Sequence, residues 1–391
     1  MDKLGAVIVL LAAAALLAAP AAPAATPTEA KLQRQLNSLV DAKGGPPGAI
    51  VTLRRGARTR VLTAGVADVD TRRAPRASDH MRIASVAKAF SGAVALQLVG
   101  DGKLHLDDTV GSVLPNLPEA WSAVTLRQLL NHTSGVPDYT RSSGFRSQFE
   151  NDPGGYVSPR KVIGWVRTDP LVFRPGSRYE YSNTDNIVVG LMAQKVSGSS
   201  YRLLLEQIVF EPLRLRRTSF PTRPALPRPF IHGYLVVDDM GATEDVSTLL
   251  SPSGAWASGA IVSTPSDLNK FIGGYLGARL FPASLQQQQL RFVPGGQSSP
   301  PGPGRNAAGL AVFRYRTKCG TVYGHTGNFP GYVQFAAASR DGSRALTTSL
   351  NIPAPTGRLL ARLRAMQRTA VCALRLAAGR SLSRSARPAR R

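Results

Sequence analysis

The sequence predicts a mixed α/β fold of the α+β kind. One antiparallel sheet is assembled from both ends of the chain, flanked by helices and interrupted by a mostly helical middle. Three observations carry this. Ala49 to Leu53 and Thr59 to Ala64 read as strands around the turn Arg54-Arg55-Gly56. Tyr332 to Ser339 and Arg344 to Leu350 read as a second hairpin around Asp341-Gly342. Between them, residues of about 100–280 read as a helical insertion.

The elements follow in chain order. Met1-Asp2-Lys3 is a short charged start, Leu4 to Ala19 is apolar, and Ala21 to Ala25 supplies small residues. This is the pattern of a secretory signal peptide over residues 1–25, cut near Ala24 or Ala25. A membrane anchor is the alternative, but the apolar run is shorter than the ~20 residues that a span requires. Glu29 to Lys43 reads as a polar helix stopped by Gly44-Gly45-Pro46-Pro47. Residues 294–306 are rich in Pro, Gly and Ser and read as a loop. Residues 357–378 form an amphipathic helix with Leu359, Leu360, Leu363, Met366, Ala370, Val371 and Leu374 facing inward. The folded domain spans 26–378, and 379–391 is an Arg-rich tail with the composition of a disordered segment.

The 391 residues suffice for a large core. The formal net charge is +24, and residues 358–391 carry ten arginines and no acid. Nucleic-acid binding is argued against, because the cations lack aromatic interleaving and no nucleic-acid motif is present. Attraction to an anionic cell wall or membrane surface, or plain solubility, accounts for the charge. The two cysteines, Cys319 and Cys372, favour a disulfide in an oxidising compartment. Two buried thiols are the alternative.

Ser85-Val86-Ala87-Lys88 carries the chemistry. Ser and Lys at i and i+3 share one face of a helix. Ala84 to Val99 is apolar almost all round, ended by Gly100 and Gly102, with Lys88 its only charge. A helix apolar on every side is buried. Burial favours the neutral amine and makes a lysine a usable base. Ser85 near the helix N-terminus feels the positive end of the dipole. Ser158-Pro159-Arg160-Lys161 repeats the spacing but reads as an ordinary helix start, with a serine cap and proline at the first position. Tyr181-Ser182-Asn183 and Gly324-His325-Thr326-Gly327 follow downstream. Taken singly they read as a core aromatic, a cap and a surface histidine.

In this order the three motifs resemble the penicillin-recognising serine hydrolases, which include D-alanyl-D-alanine carboxypeptidases, class C β-lactamases and related esterases. The resemblance covers about 30–375 and extends to Leu126 to Gly135, Tyr181 to Gly190 and Gly324 to Leu350. Within the family the chain looks closest to secreted actinobacterial carboxypeptidases, which carry histidine in the third motif and a similarly placed cysteine pair. The resemblance implies a β-lactamase/transpeptidase-like fold and an acyl-enzyme on Ser85. It implies Lys88 as the amine that deprotonates Ser85 and Tyr181 as a proton shuttle whose phenolate is favoured by Lys88 and His325. Asn183 would bond the substrate's peptide group. His325, Thr326 and Gly327 would form the edge strand beside the cleft, with Gly327 admitting the substrate backbone. The N–H groups of Ser85 and Asn328 would form the oxyanion hole. Arg314 or Arg316 would hold a substrate carboxylate. Asn328 departs from the threonine or serine frequent there in carboxypeptidases and places that specificity in doubt. His132 reads as structural.

Metal catalysis fits poorly: His80, His105, His132, His232 and His325 are scattered, with no His-Glu-x-x-His motif. No Gly-x-Ser-x-Gly is present for an α/β-hydrolase. The expectation is therefore a secreted, monomeric, cofactor-free carboxypeptidase acting on peptidoglycan peptides and acylated by β-lactams. A β-lactamase, an esterase or a D-amino-acid peptidase on the same site is an alternative, as is a non-catalytic β-lactam or muropeptide binding module.

Overall fold

A computed structural model describes residues 25–237 and 242–376. The expected leader, apart from Ala25, and the Arg-rich tail lie outside the described residues. The eleven described strands are β1 Gly48–Arg55, β2 Arg58–Gly65, β3 Met81–Arg82, β4 Tyr234–Val236, β5 Thr243–Asp245, β6 Val262–Ser263, β7 Arg305–Gly309, β8 Val312–Thr317, β9 Gly320–Phe329, β10 Tyr332–Ala338 and β11 Arg344–Leu350. Seven form one sheet in the order β2-β1-β11-β10-β9-β8-β7. β1 pairs antiparallel with β11, from Ala49 opposite Leu350 to Arg55 opposite Arg344. Strands from the two ends of the chain thus pair side by side within the sheet.

The helices are α1 Pro27–Val40, α2 Ala87–Gly100, α3 Val110–Val113, α4 Leu126–Leu130, α5 Ser143–Asn151, α6 Pro159–Gly164, α7 Asn183–Ser197, α8 Tyr201–Leu205, α9 Trp256–Gly259, α10 Pro265–Leu276, α11 Ala283–Gln289 and α12 Gly357–Leu376. α1 begins earlier than its composition suggests. Thr26 and Glu29 form a reciprocal capping box, and Pro27 occupies the first turn. Leu32, Leu36 and Leu39 of α1 pack with Leu363, Met366, Ala370, Val371 and Leu374 of α12 over Val51, Leu53, Phe335 and Leu346 of the sheet. Leu359 and Leu360 are only half-buried at the frayed start of α12. Cys319, in the β8–β9 turn, is bonded to Cys372 of α12 and ties that hairpin to the helix.

The opposite face of the sheet is covered by a larger core that includes Phe90 and Val94 of α2, Ile187 and Val188 of α7, and Leu268, Phe271 and Ile272 of α10. Phe90 stacks on Phe271 with ring centroids 3.5 Å apart. α10 therefore belongs to the sheet layer, although its sequence lies inside the stretch read as the helical insertion. β9 was expected to be an edge strand. It is interior, between β8 and β10, because residues 305–317 add two further strands beyond it.

Candidate active site

Ser85 stands where the sheet meets α2. The apolar run does not start as an α-helix. Its first turn, Ala84–Val86, is a tighter 3₁₀ turn that leads into α2. Ala84 has φ +51°, a left-handed value that a non-glycine residue adopts at a cost. This backbone carries Ser85 to the surface of the cleft while Lys88, one turn later, is fully buried.

Gly327 fixes the approach of β9 to this turn. A Cβ on Gly327 would lie 2.5 Å from the Ile83 carbonyl oxygen, 3.1 Å from Ala84 Cβ and 3.1 Å from the Ser85 nitrogen. The glycine therefore admits the protein's own nucleophile turn, where the sequence suggested that it admits substrate. This packing brings the strand of Asn328 next to the backbone N–H of Ser85.

Lys88 Nζ has three neighbours: Ser85 Oγ at 3.2 Å, Asn183 Oδ1 at 2.7 Å and the Ser258 carbonyl at 2.9 Å. A neutral amine has two N–H donors and one lone pair. Asn183 Oδ1 and the Ser258 carbonyl oxygen can only accept, so in the neutral amine they take the two donors and leave the lone pair for the Ser85 hydroxyl. Burial lowers Lys88 to about 7, with Asp138 and Asp185 pulling in the opposite direction. The structure thus places the buried Lys88 amine within hydrogen-bond reach of the Ser85 hydroxyl.

Asn183 opens α7, directly after its cap Ser182. Its Nδ2 donates to Asp138, 3.0 and 3.2 Å from the two carboxylate oxygens. An amide that donates to a carboxylate must turn its oxygen the other way, here onto Lys88. The sequence did not single out Asp138. The signal was there, three residues past the His-Thr-Ser-Gly stretch. Ser258 acts through its backbone oxygen, which side-chain pattern cannot reveal.

Tyr181 lines the cleft beside Ser85, and Lys88 Nζ lies 5.1 Å from its ring centroid. Burial raises its phenol well above the ordinary value; the Ser85 hydroxyl opposes this without cancelling it. The hydroxyl makes no hydrogen bond of normal geometry. The expected phenolate is therefore corrected to a neutral phenol. His325 contributes no positive charge. It is fully buried, and burial lowers it to about 3, with the Lys88 charge acting in the same direction. Its Nδ1–H donates to the Thr326 carbonyl, leaving a buried, unpartnered Nε2.

Below Tyr181 lies a second buried group. His132 sits 4.4 Å from the Tyr181 ring, centroid to centroid, and its Nδ1 is 2.8 Å from Asp185 Oδ2. Ser134 donates to the other carboxylate oxygen. Burial lowers His132 to about 3 and raises Asp185 well above the usual carboxylate range. The pair as a whole is thereby held uncharged, and it supports the tyrosine from beneath.

The remaining sequence candidates separate. Asn328 lines the cleft, but its side-chain oxygen accepts from the Ala354 N–H at 2.7 Å. The Thr326 hydroxyl donates to the Pro300 carbonyl at 2.7 Å and is buried away from the cleft. Arg314 and Arg316 line a different cavity, with Gly295, Gly304 and Asn306. Phe313 and Tyr315 take the core side of β8, which sends the alternating arginines to the other side. Arg314 lies over the Phe292 ring at 4.5 Å. Neither arginine reaches Ser85.

The cleft encloses about 490 Å³ and runs from Ser85, Tyr181 and Asn183 past Asp138 and Arg141 to Phe145, Phe149 and Trp165, with Asn328 and Phe329 at its other border. Residues 32–370 match the family described as Beta-lactamase. The chain belongs to that family of serine hydrolases. Among similar proteins is "Protein flp" of Staphylococcus aureus (strain COL), 30% identical over 197 residues, which are 48% of this chain and 38% of that protein. Penicillin-binding protein 4* of Bacillus subtilis (strain 168) is 27% identical over 221 residues, 53% of this chain and 47% of that protein. The match thus spans less than half the length of these curated relatives. A D-stereospecific amidohydrolase from Streptomyces sp. is 31% identical, with a TM-score of 0.74, over 83% of this chain and 94% of that one.

Proposed function

We propose that this serine hydrolase cleaves an amide bond next to a D-amino-acid residue, through an acyl-enzyme on Ser85. The observation that carries the chemistry is the buried Lys88 amine 3.2 Å from the Ser85 hydroxyl, with its other two neighbours both acceptors. Ser85 Oγ attacks the substrate carbonyl as its proton passes to Lys88. The oxyanion forms against the N–H groups of Ser85 and Asn328. The C–N bond breaks as the leaving amine takes a proton from the neutral Tyr181, which is reprotonated from Lys88. Water then attacks the ester and releases the acid. Tyr181 serves here as an acid and relay, in keeping with its raised pKa.

Preference for D-residues is supported by the Streptomyces amidohydrolase, which is matched along most of both chains. An uncharged leaving group is supported by the cleft itself. Among its lining residues only Asp138 and Arg141 carry fixed charge, and Arg141 pairs with Glu180 at 3.1 Å. Action outside the cell, on wall peptides or related amides, is supported by the leader sequence and the Cys319–Cys372 bond.

A second reading, a D-alanyl-D-alanine carboxypeptidase of the actinobacterial type, is favoured by the same Arg141. Its exposed ion pair is weak enough to exchange for a substrate carboxylate. In that case Arg141 takes the role that the sequence gave to Arg314 or Arg316. Hydrolysis of a D-alanyl-D-alanine peptide compared with its C-terminal amide separates the readings. Faster release from the amide supports the first, and faster release from the free acid, lost in Arg141→Ala, supports the second. A fluorescent penicillin that labels the wild type without any amide or ester turnover would return the chain to a binding module.

A further inference from the structure

α5 is a nine-residue helix in which no residue is buried. A helix of this length gains most of its stability from packing an apolar face, so an unburied one requires an explanation. Its apolar residues are Phe145 and Phe149, four apart and therefore on one face. That face looks into the cleft of Ser85. Phe149 is 45% exposed and is the only exposed phenylalanine among the described residues.

The two rings extend an aromatic wall. Phe145 meets Tyr139 edge-on at 5.6 Å and Trp165 edge-on at 6.2 Å, and lies 6.2 Å from Phe149. The helix backbone is seated directly on Trp165, because a Cβ at Gly144 would lie 2.2 Å from the indole ring. Tyr139 is buried behind the wall, and the preceding residue, Asp138, holds Asn183. The wall is therefore continuous with the amide that contacts Lys88. Of the nearby charges, Asp138 accepts from Asn183 and Thr140, and Arg141 carries only an exposed pair with Glu180.

We propose that Phe145, Phe149 and Trp165, backed by the buried Tyr139, form a subsite for an aromatic or bulky apolar side chain on the acyl part of the substrate. The inference rests on the acyl-transfer reading of Ser85 and names the class of acyl group that it accepts. Phe145 is already half-buried against the core, and the exposed Phe149 ring becomes buried when such a side chain enters.

Two substrate pairs test it. One is the p-nitroanilides of D-phenylalanine and D-alanine, compared by kcat/KM. The other is benzylpenicillin and 6-aminopenicillanic acid, compared by the rate of Ser85 acylation. In both pairs the aromatic member should react at least about tenfold faster, the discrimination typical of an apolar pocket. Phe149→Ala should lower each ratio about tenfold, Phe149→Leu should restore most of it, and Tyr156→Ala, which is exposed outside the cleft lining, should not change it. Ratios that are near one, or that are unmoved by Phe149→Ala, would overturn the subsite. If neither anilide is cleaved, the amide-hydrolase reading fails while the penicillin pair still decides the subsite.

Discussion

In the proposed mechanism the ionisation of Lys88 sets how fast Ser85 is acylated, and its value follows from burial. The ordinary lysine value of 10.5 falls to about 7 in this site. At ~1.36 kcal/mol per pH unit, the surroundings favour the neutral amine by about 5 kcal/mol. At pH 7 about half the molecules then hold the lone pair toward Ser85, against roughly one in 3,000 for an unshifted lysine. The rate of penicillin acylation, followed by stopped flow between pH 5 and 9, should rise about tenfold per unit at the acid end and level off near pH 8. Stability should show the same group. The folded pKa lies below the unfolded one, so the cost of burying the amine is fully present below pH 7. It fades as pH rises from 7 to 10.5. Relative to Lys88→Met, the wild type should therefore gain about 2.5 kcal/mol between pH 7 and pH 9 in denaturant unfolding. A flat acylation profile, or a midpoint near 10, would refute the buried-base argument.

Other outcomes follow from the same geometry. Gly327→Ala should reduce acylation at least about a hundredfold, because the methyl group forces β9 off the Ile83–Ser85 turn; penicillin labelling of the folded variant measures this. Asp138→Asn removes a charge that holds Lys88 up, so the midpoint of the acylation profile should move to lower pH. Loss of Asp138 without any change in the profile would mean that it acts on Asn183 alone. Cys319→Ser with Cys372→Ser should cost about 4 kcal/mol in unfolding under oxidising conditions, from the 53-residue separation that the bond closes.

Much of the fold was legible because several strands are short apolar runs bounded by strong turns. Arg344 to Leu350 coincides with β11, and Tyr332 to Ser339 differs from β10 by one residue. The hidden parts have physical reasons. β7 and β8 hold charged residues next to buried ones, so no clean period marks them as strands of the sheet. The triad of Ser85, Lys88 and Asn183 could be anticipated, since each side chain has a distinct chemical signature. The arginines could not be placed, because alternation along β8 fixes only that they share a side, and packing of Phe313 and Tyr315 decides which. The charge states of Tyr181 and His325 were misjudged for a related reason. Both groups lie near Lys88, but burial dominates and holds them neutral.

The central claim is that Ser85 forms the acyl-enzyme with Lys88 as its base. Mass spectrometry of the protein after brief exposure to benzylpenicillin tests it most directly. One penicilloyl group on the peptide containing Ser85, absent in Ser85→Ala and formed far more slowly in Lys88→Met, is the result this account predicts. An adduct on another residue, or one formed equally in Ser85→Ala, would contradict it.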